Sequence, residues 1–165
     1  MDEHWSVIPE FPNYSVSDLG NVMNNITGRD IRLTLTSQGA VKVGLVRGGT
    51  QYTRSVKVLV AEAFVPGRTD IFDTPIQLDG YQHNNMAENL MWRPRWFAWK
   101  YSRQFAIESD YHSRGPIYDL DTGQRYADVY EVATRNGLLF QDVWRSVNLG
   151  YPTFPTKQVF GFRRQ

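Results

Sequence analysis

The stretch Ile76-Gln77-Leu78-Asp79-Gly80-Tyr81-Gln82-His83-Asn84-Asn85-Met86-Ala87-Glu88-Asn89-Leu90-Met91-Trp92 decides how the chain is read. Asp79-Gly80 is a tight-turn dipeptide, because glycine accepts positive φ without a Cβ clash. His83-Asn84-Asn85 prolongs a polar loop. Asn84 or Asn85 is expected to cap a helix beginning near Met86, its side-chain oxygen taking an orphan N–H. Asn89, Leu90 and Trp92 would then point to different faces of that short helix. The expected unit is strand, long polar loop, helix.

Asp79-Gly80, Asn84-Asn85 and Asn89-Leu90-x-Trp92 resemble the core of HNH nucleases of phage and intron homing endonucleases. The resemblance implies a two-stranded ribbon and a helix built around one divalent metal. It also exposes departures. The family's Asp-His pair falls on Ile76 and Gln77, and its distal Asn or His ligand falls on Ala98. Asn89 is retained, and in the family it braces the loop and the general base. A one-metal nuclease needs hard oxygen ligands for Mg²⁺ and a base of suitable pKa to activate water. Ile and Ala offer no ligand, and Gln takes no proton at neutral pH. No catalytic residue and no bound metal are therefore expected, with Mg²⁺ or a similar ion implied only for an active nuclease. His83 or Asp79 would be the places to seek a substitute base or ligand, with Asp70 and Asp73 as acidic neighbours.

The 165 residues have a formal net charge of +1, which selects no partner class. No cysteine is present, so disulfides and cysteine zinc sites are excluded, and three scattered histidines suggest no zinc set. Met1-Asp2-Glu3-His4 is acidic without an apolar run, so no signal peptide is expected. No stretch is long and apolar enough to span a bilayer. The expected setting is cytoplasmic, in a bacterium or in the host cell of a phage.

Charge distribution says more than its sum. Arg32, Lys42, Arg47, Arg54 and Lys57 follow one another with no intervening acid, as do Arg93, Arg95, Lys100 and Arg103. Such segments suit a phosphate-contacting face, or are simply solvated.

Trp5 to Val22 carries Ile8-Pro9, Tyr14-x-Val16-Ser17 and Gly20-x-Val22. It resembles the small NUMOD4-like antiparallel module that precedes HNH domains, with Trp5, Ile8 and Tyr14 as core. Residues 31–35, 41–45 and 52–56 alternate as strands, and alternation would expose Arg32, Lys42 and Arg54. Val58 to Phe64 reads as a helix stopped by Pro66-Gly67. Arg93 to Arg103 interleaves basic and aromatic residues on a helix, either for DNA backbone binding or for packing.

Residues 106–115 read as a linker, with His112 exposed on it. Beyond it, Asp121-Thr122-Gly123 marks a hairpin. Ala127–Arg135 and Phe140–Val147 form two helices around Asn136-Gly137, and residues 159–163 a closing strand. This order resembles the C-terminal DNA-binding repeat of the same family. Gln141, Asp142, Arg145, Ser146 and Asn148 on the second helix are the base-reading candidates.

The expected class is α+β, with a small antiparallel sheet, a ββα-metal-like HNH core and a C-terminal helix-turn-helix. The expected division is 1–55, 56–105, linker 106–115 and 116–165. The implied function is binding of double-stranded DNA without cleavage. Two rivals stay open: a metal-dependent nicking endonuclease, and a phage-derived protein that binds a protein partner such as transcription machinery.

Overall fold

The computed structural model describes residues 2–106 and 115–162, and these fall into two units, Met1–Ala98 and Trp99–Gln165. The division lies inside a helix. Residues 107–114 of the expected linker, His112 among them, lie outside the described residues, as does Arg163 of the closing strand.

The first unit begins with β1 (Trp5–Ile8), β2 (Phe11–Ser17) and β3 (Val22–Asn24), an antiparallel sheet in that order. Ile8 and Tyr14 are buried as expected, but Trp5 is 36 % exposed and does not join the core. A second antiparallel sheet holds β4 (Thr34–Leu35), β5 (Val41–Arg47) and β6 (Thr50–Ser55). The expected strand over 31–35 shrinks to Thr34–Leu35, because Ile31 and Leu33 pack on the core while Leu35 is exposed. Gly48 and Gly49 both have positive φ, as a two-residue hairpin loop between right-twisted strands requires.

Helix α1 (Val56–Phe64) starts two residues before the expected Val58. The Ser55 hydroxyl caps it, accepting from the Val58 N–H at 3.4 Å. Val56, Leu59, Val60 and Ala61 bury one stripe against Phe11, Val16, Val43 and Leu45, so a single apolar cluster runs through the 55/56 boundary.

The expected helix near Met86 is not there. A 3₁₀ turn at Ala87–Asn89 leads into β8 (Leu90–Arg93), which pairs antiparallel with β7 (Thr74–Gln77). Leu90 and Trp92 are buried and Met91 half-buried, a period of two. Pairing with β7 and burial of alternate residues override the capping signal. Asn84 Oδ1 accepts from the Met86 N–H at 3.4 Å, a local turn and not a helix cap. The helix that follows the ribbon in the chain is α2 (Arg95–Gln104).

The second unit has a sheet in the order β10 (Arg125–Tyr126), β9 (Ile117–Asp119), β11 (Phe160–Gly161). Asp119 Oδ1 accepts from the Asp121 and Thr122 N–H groups and shapes the hairpin. Helix α3 (Val129–Asn136) is capped by Asp128, whose Oδ1 accepts from the Glu131 N–H at 2.8 Å. Gly137, at φ 65°, ends it in the left-handed conformation. Three residues later α4 (Phe140–Leu149) begins, two residues longer than expected. Val129, Val132, Ala133, Phe140 and Val143 close a separate core with Ile117 and Phe160.

Candidate functional site

The loop between β7 and the 3₁₀ turn is held by three polar side chains. Asn89 Nδ2 donates to Asp79 Oδ1 at 2.9 Å and to the Asn84 carbonyl at 2.9 Å. Asn89 Oδ1 accepts from the Asp79 N–H at 3.1 Å. Asn84 Nδ2 donates to Asp79 Oδ2 at 2.8 Å, and the Tyr81 N–H donates to Asp79 Oδ1 at 2.9 Å. The Ala87 N–H donates to the Asp18 carbonyl at 2.7 Å, tying the loop to the turn before β3.

The three positions singled out in the sequence, Ile76, Gln77 and Ala98, are otherwise engaged. Ile76 is buried in the ribbon opposite Met91. Gln77 Nε2 donates to Asn85 Oδ1 at 2.9 Å and to the Gln82 carbonyl at 3.4 Å. Ala98 offers a methyl group on α2. These three residues do not fit a divalent ion, which asks for several hard oxygen ligands. Both oxygens of Asp79 already accept hydrogen bonds within the loop. His83 is exposed and stacks on Tyr81, with ring centroids 5.0 Å apart. Asp70 and Asp73 are exposed, and Asp73 accepts from the Thr74 hydroxyl. Among the described residues, no three His, Cys, Asp or Glu side chains gather as a metal set.

The basic candidates divide by environment. Arg32, Arg95, Lys100 and Arg103 are exposed, and Arg103 lies over the Trp99 ring at 4.1 Å. Trp96 and Trp99 are more than half exposed, while Phe97 and Tyr101 are buried, so the interleaved aromatics serve both solvent and core. Arg93 is buried: it donates to the Trp92 carbonyl at 2.9 Å and lies over Phe97. Lys42 and Lys57 are half-buried. Burial pushes the Lys57 ammonium below the usual lysine range, and the Lys42 charge adds to the effect.

Arg54 is half-buried, less exposed than expected. It pairs across from Val43, on the face that Leu45 and Tyr52 also use. Its Nη2 donates to Glu10 Oε1 at 2.6 Å, and Arg47 Nη1 reaches the same oxygen at 3.5 Å. Sequence reading missed this pairing, since nothing local links residues 44 apart.

On α4, Gln141, Arg145 and Asn148 share the solvent face, with Asn148 Nδ2 donating to the Trp144 carbonyl at 2.8 Å. Ser146 is fully buried, and its Oγ accepts from the Phe160 N–H at 2.9 Å. It braces the closing strand and presents nothing to a ligand. Asp142 is half-buried in the first turn.

Two small antiparallel sheets, a two-stranded ribbon whose loop is closed by Asn89 and a pair of helices make up a fold similar to that of an HNH homing endonuclease. Residues 3–46 match the NUMOD4 motif. The chain is 27 % identical over 140 residues to an uncharacterized HNH endonuclease of Acanthamoeba polyphaga mimivirus, covering 84 % of this chain and 41 % of that protein. It is 32 % identical over 82 residues to DNA endonuclease I-HmuI of Bacillus phage SP01, covering 48 % of this chain and 45 % of that protein. The chain thus spans less than half the length of these curated relatives. A solved structure described as "DNA binding and cleavage by the HNH homing endonuclease I-HmuI" matches with a TM-score of 0.57 and 20 % identity, covering 98 % of this chain and 99 % of that one. At that identity the likeness is one of fold.

Proposed function

We propose that this protein binds double-stranded DNA through a homing-endonuclease scaffold and does not cut it. The observation that carries this reading is at Gln77. It stands where the family has its general base, yet its amide is spent on Asn85 inside an intact Asp79–Asn84–Asn89 frame. The frame is kept and the chemistry is not. Ile76 and Ala98 add no ligand. DNA endonuclease I-HmuI is a relative in name and in fold, and supports DNA as the ligand class.

Each unit offers its own contacts. In the first, Arg32, Lys42, Lys57 and Arg95 supply positive charge for phosphates. In the second, Lys100 and Arg103 do the same, and the Gln141–Arg145–Asn148 face of α4 carries side chains able to read base edges in the major groove. The helix-turn-helix reading of α3 and α4 rests on the three-residue turn and this polar stripe. The working setting is the cytoplasm of a bacterium or of a phage's host. Among the described residues no helix is long and apolar enough to cross a membrane.

The test is strand nicking of DNA from around the gene, in Mg²⁺ and Mn²⁺, with duplex binding measured alongside. The natural protein should bind and leave the DNA whole. A variant carrying Ile76→Asp, Gln77→His and Ala98→Asn should nick. Nicking by the natural protein would overturn the reading and direct attention to Asp79 and His83. Absence of duplex binding, with a protein partner retained instead, would favour an interaction protein.

A further inference from the structure

Two arginines converge on one carboxylate oxygen at the edge of the β5–β6 hairpin. Arg54 Nη2 lies 2.6 Å from Glu10 Oε1, and Arg47 Nη1 lies 3.5 Å from it. Both guanidiniums also stack on the same two rings. Arg47 is 5.1 Å from the Phe11 centroid and 4.8 Å from that of Tyr52; Arg54 is 5.1 and 5.4 Å from them. Phe11 is buried, so the aromatic floor is fixed. The side chains above it stay wet: Arg47, Arg54 and Glu10 are 47, 32 and 49 % exposed.

One carboxylate underuses two guanidiniums. Together they carry about ten N–H donors in planar forks. Their remaining bonds go to the Glu10 and Thr53 carbonyls. One positive charge is left uncompensated. Stacking on Phe11 and Tyr52 holds both forks in place before any ligand arrives, which lowers the ordering cost of binding. A tetrahedral oxyanion matches such forks better than one carboxylate oxygen does. The existing ion pairs are solvent-exposed and of small net strength, so displacing Glu10 costs little.

We infer that Arg47 and Arg54 form an anion site for a backbone phosphate of nucleic acid, and that Glu10 is an internal competitor which the phosphate displaces. Glu10 sits on the Pro9-Glu10 turn between β1 and β2, free to swing away without disturbing either strand. Glu10 lies inside the NUMOD4-matching residues 3–46, and Arg47 and Arg54 lie just beyond them. The inference rests on the DNA-binding reading for the identity of the ligand, and on the Arg–Glu–aromatic geometry for the site.

The experiment compares the natural protein with Glu10→Gln in two arms. In the first, affinity for a random-sequence duplex is measured by fluorescence anisotropy across a salt series. Glu10→Gln should bind several-fold tighter at low salt, with a slope of log K against log salt steeper by about 1. Glu62→Gln, which frees Arg68 elsewhere in the same unit, controls for simple loss of negative charge and should change binding far less. In an Arg47→Gln, Arg54→Gln background, Glu10→Gln should have no effect. In the second arm, sulfate is titrated against thermal stability, and Glu10→Gln should gain more melting temperature per increment of sulfate than the natural protein. Equal effects of Glu10→Gln and Glu62→Gln, or no gain in either arm, would overturn the inference while leaving DNA binding intact. A sulfate gain without any duplex binding would keep the anion site and overturn DNA as its ligand. The single substitutions decide the matter alone should the double arginine variant not fold, because Glu10 is exposed on a turn.

Discussion

Asn89 and Asp79 bond to each other twice: Asn89 Nδ2 donates to Asp79 Oδ1 at 2.9 Å, and the Asp79 N–H donates to Asn89 Oδ1 at 3.1 Å. The side chain of one residue thus fixes both the backbone and the carboxylate of the other, ten positions away. The pair acts as a structural staple of the loop. Asn89→Ala would remove three hydrogen bonds around a nearly buried site. Unfolding in urea should show a loss of about 2–4 kcal/mol, summing modest net bonds with the cost of unpaired partners. A loss below about 0.5 kcal/mol would mean that the loop is held by its backbone alone.

Gln77 makes a second prediction. Its amide is the donor to Asn85 Oδ1, and Asn85 is 5 % exposed. Gln77→Ala should cost about 1–3 kcal/mol by leaving that oxygen unpaired. Gln77→Glu should destabilise as well at neutral pH, since two acceptors would then face each other. Chemical denaturation of both variants checks the pair.

Ser146 and Arg145 are neighbours on α4 with opposite expected phenotypes. Ser146→Ala strands the buried Phe160 N–H and should lower stability by about 1–3 kcal/mol. At a temperature where that variant is still folded, its DNA affinity should match the natural protein. Arg145→Ala should do the reverse, leaving the melting temperature within a degree or two and weakening duplex binding. A Ser146 variant that is stable but fails to bind would return this residue to the binding face.

Lys57 bears on pH dependence. Its folded-state pKa lies below the ordinary lysine value of 10.5, because burial disfavours the charged form. The folded protein therefore releases this proton more readily than the unfolded chain. Between the depressed folded pKa and 10.5 the unfolded state holds more protons, so this residue's contribution to stability rises with pH there. Below that window the cost of the buried charge is present in full. Lys57→Met should raise the melting temperature at pH 7, and its advantage should shrink as pH approaches that of free lysine. Glu10 runs the other way. Arg54 holds its carboxyl below the usual 4.5, so its stabilising contribution is present above that value and fades as pH falls through the depressed folded pKa.

Local chemistry was legible wherever one residue dictates one conformation. Gly80, Gly137 and the Gly48-Gly49 pair sit at positive φ at the turns that the sequence marks. The alternation of 41–45 became β5, and the polar Gln141–Arg145–Asn148 spacing became the outer face of α4. The loop from Asp79 to Asn89 was recognisable through its resemblance to the HNH family. Its strand was not: Leu90-x-Trp92 is a period-two signal too short to outweigh the cap-like Asn84-Asn85 beside it.

The amino-acid sequence by itself determined the turns at Gly80 and Gly137, the alternation that becomes β5 and the polar face of α4, since each depends on residue type at fixed local spacing. Only the tertiary structure decided that Leu90–Arg93 is a strand, because its hydrogen-bond partner, Thr74–Gln77, lies more than a dozen residues away. It alone turned Ser146 inward beneath Phe160, buried Arg93 beside Phe97, and brought Glu10 to Arg47 and Arg54 across the first unit. Charge and polarity can be counted along a chain. Which charges meet, and which polar groups are spent on the protein's own backbone, is set by long-range packing that no local pattern encodes.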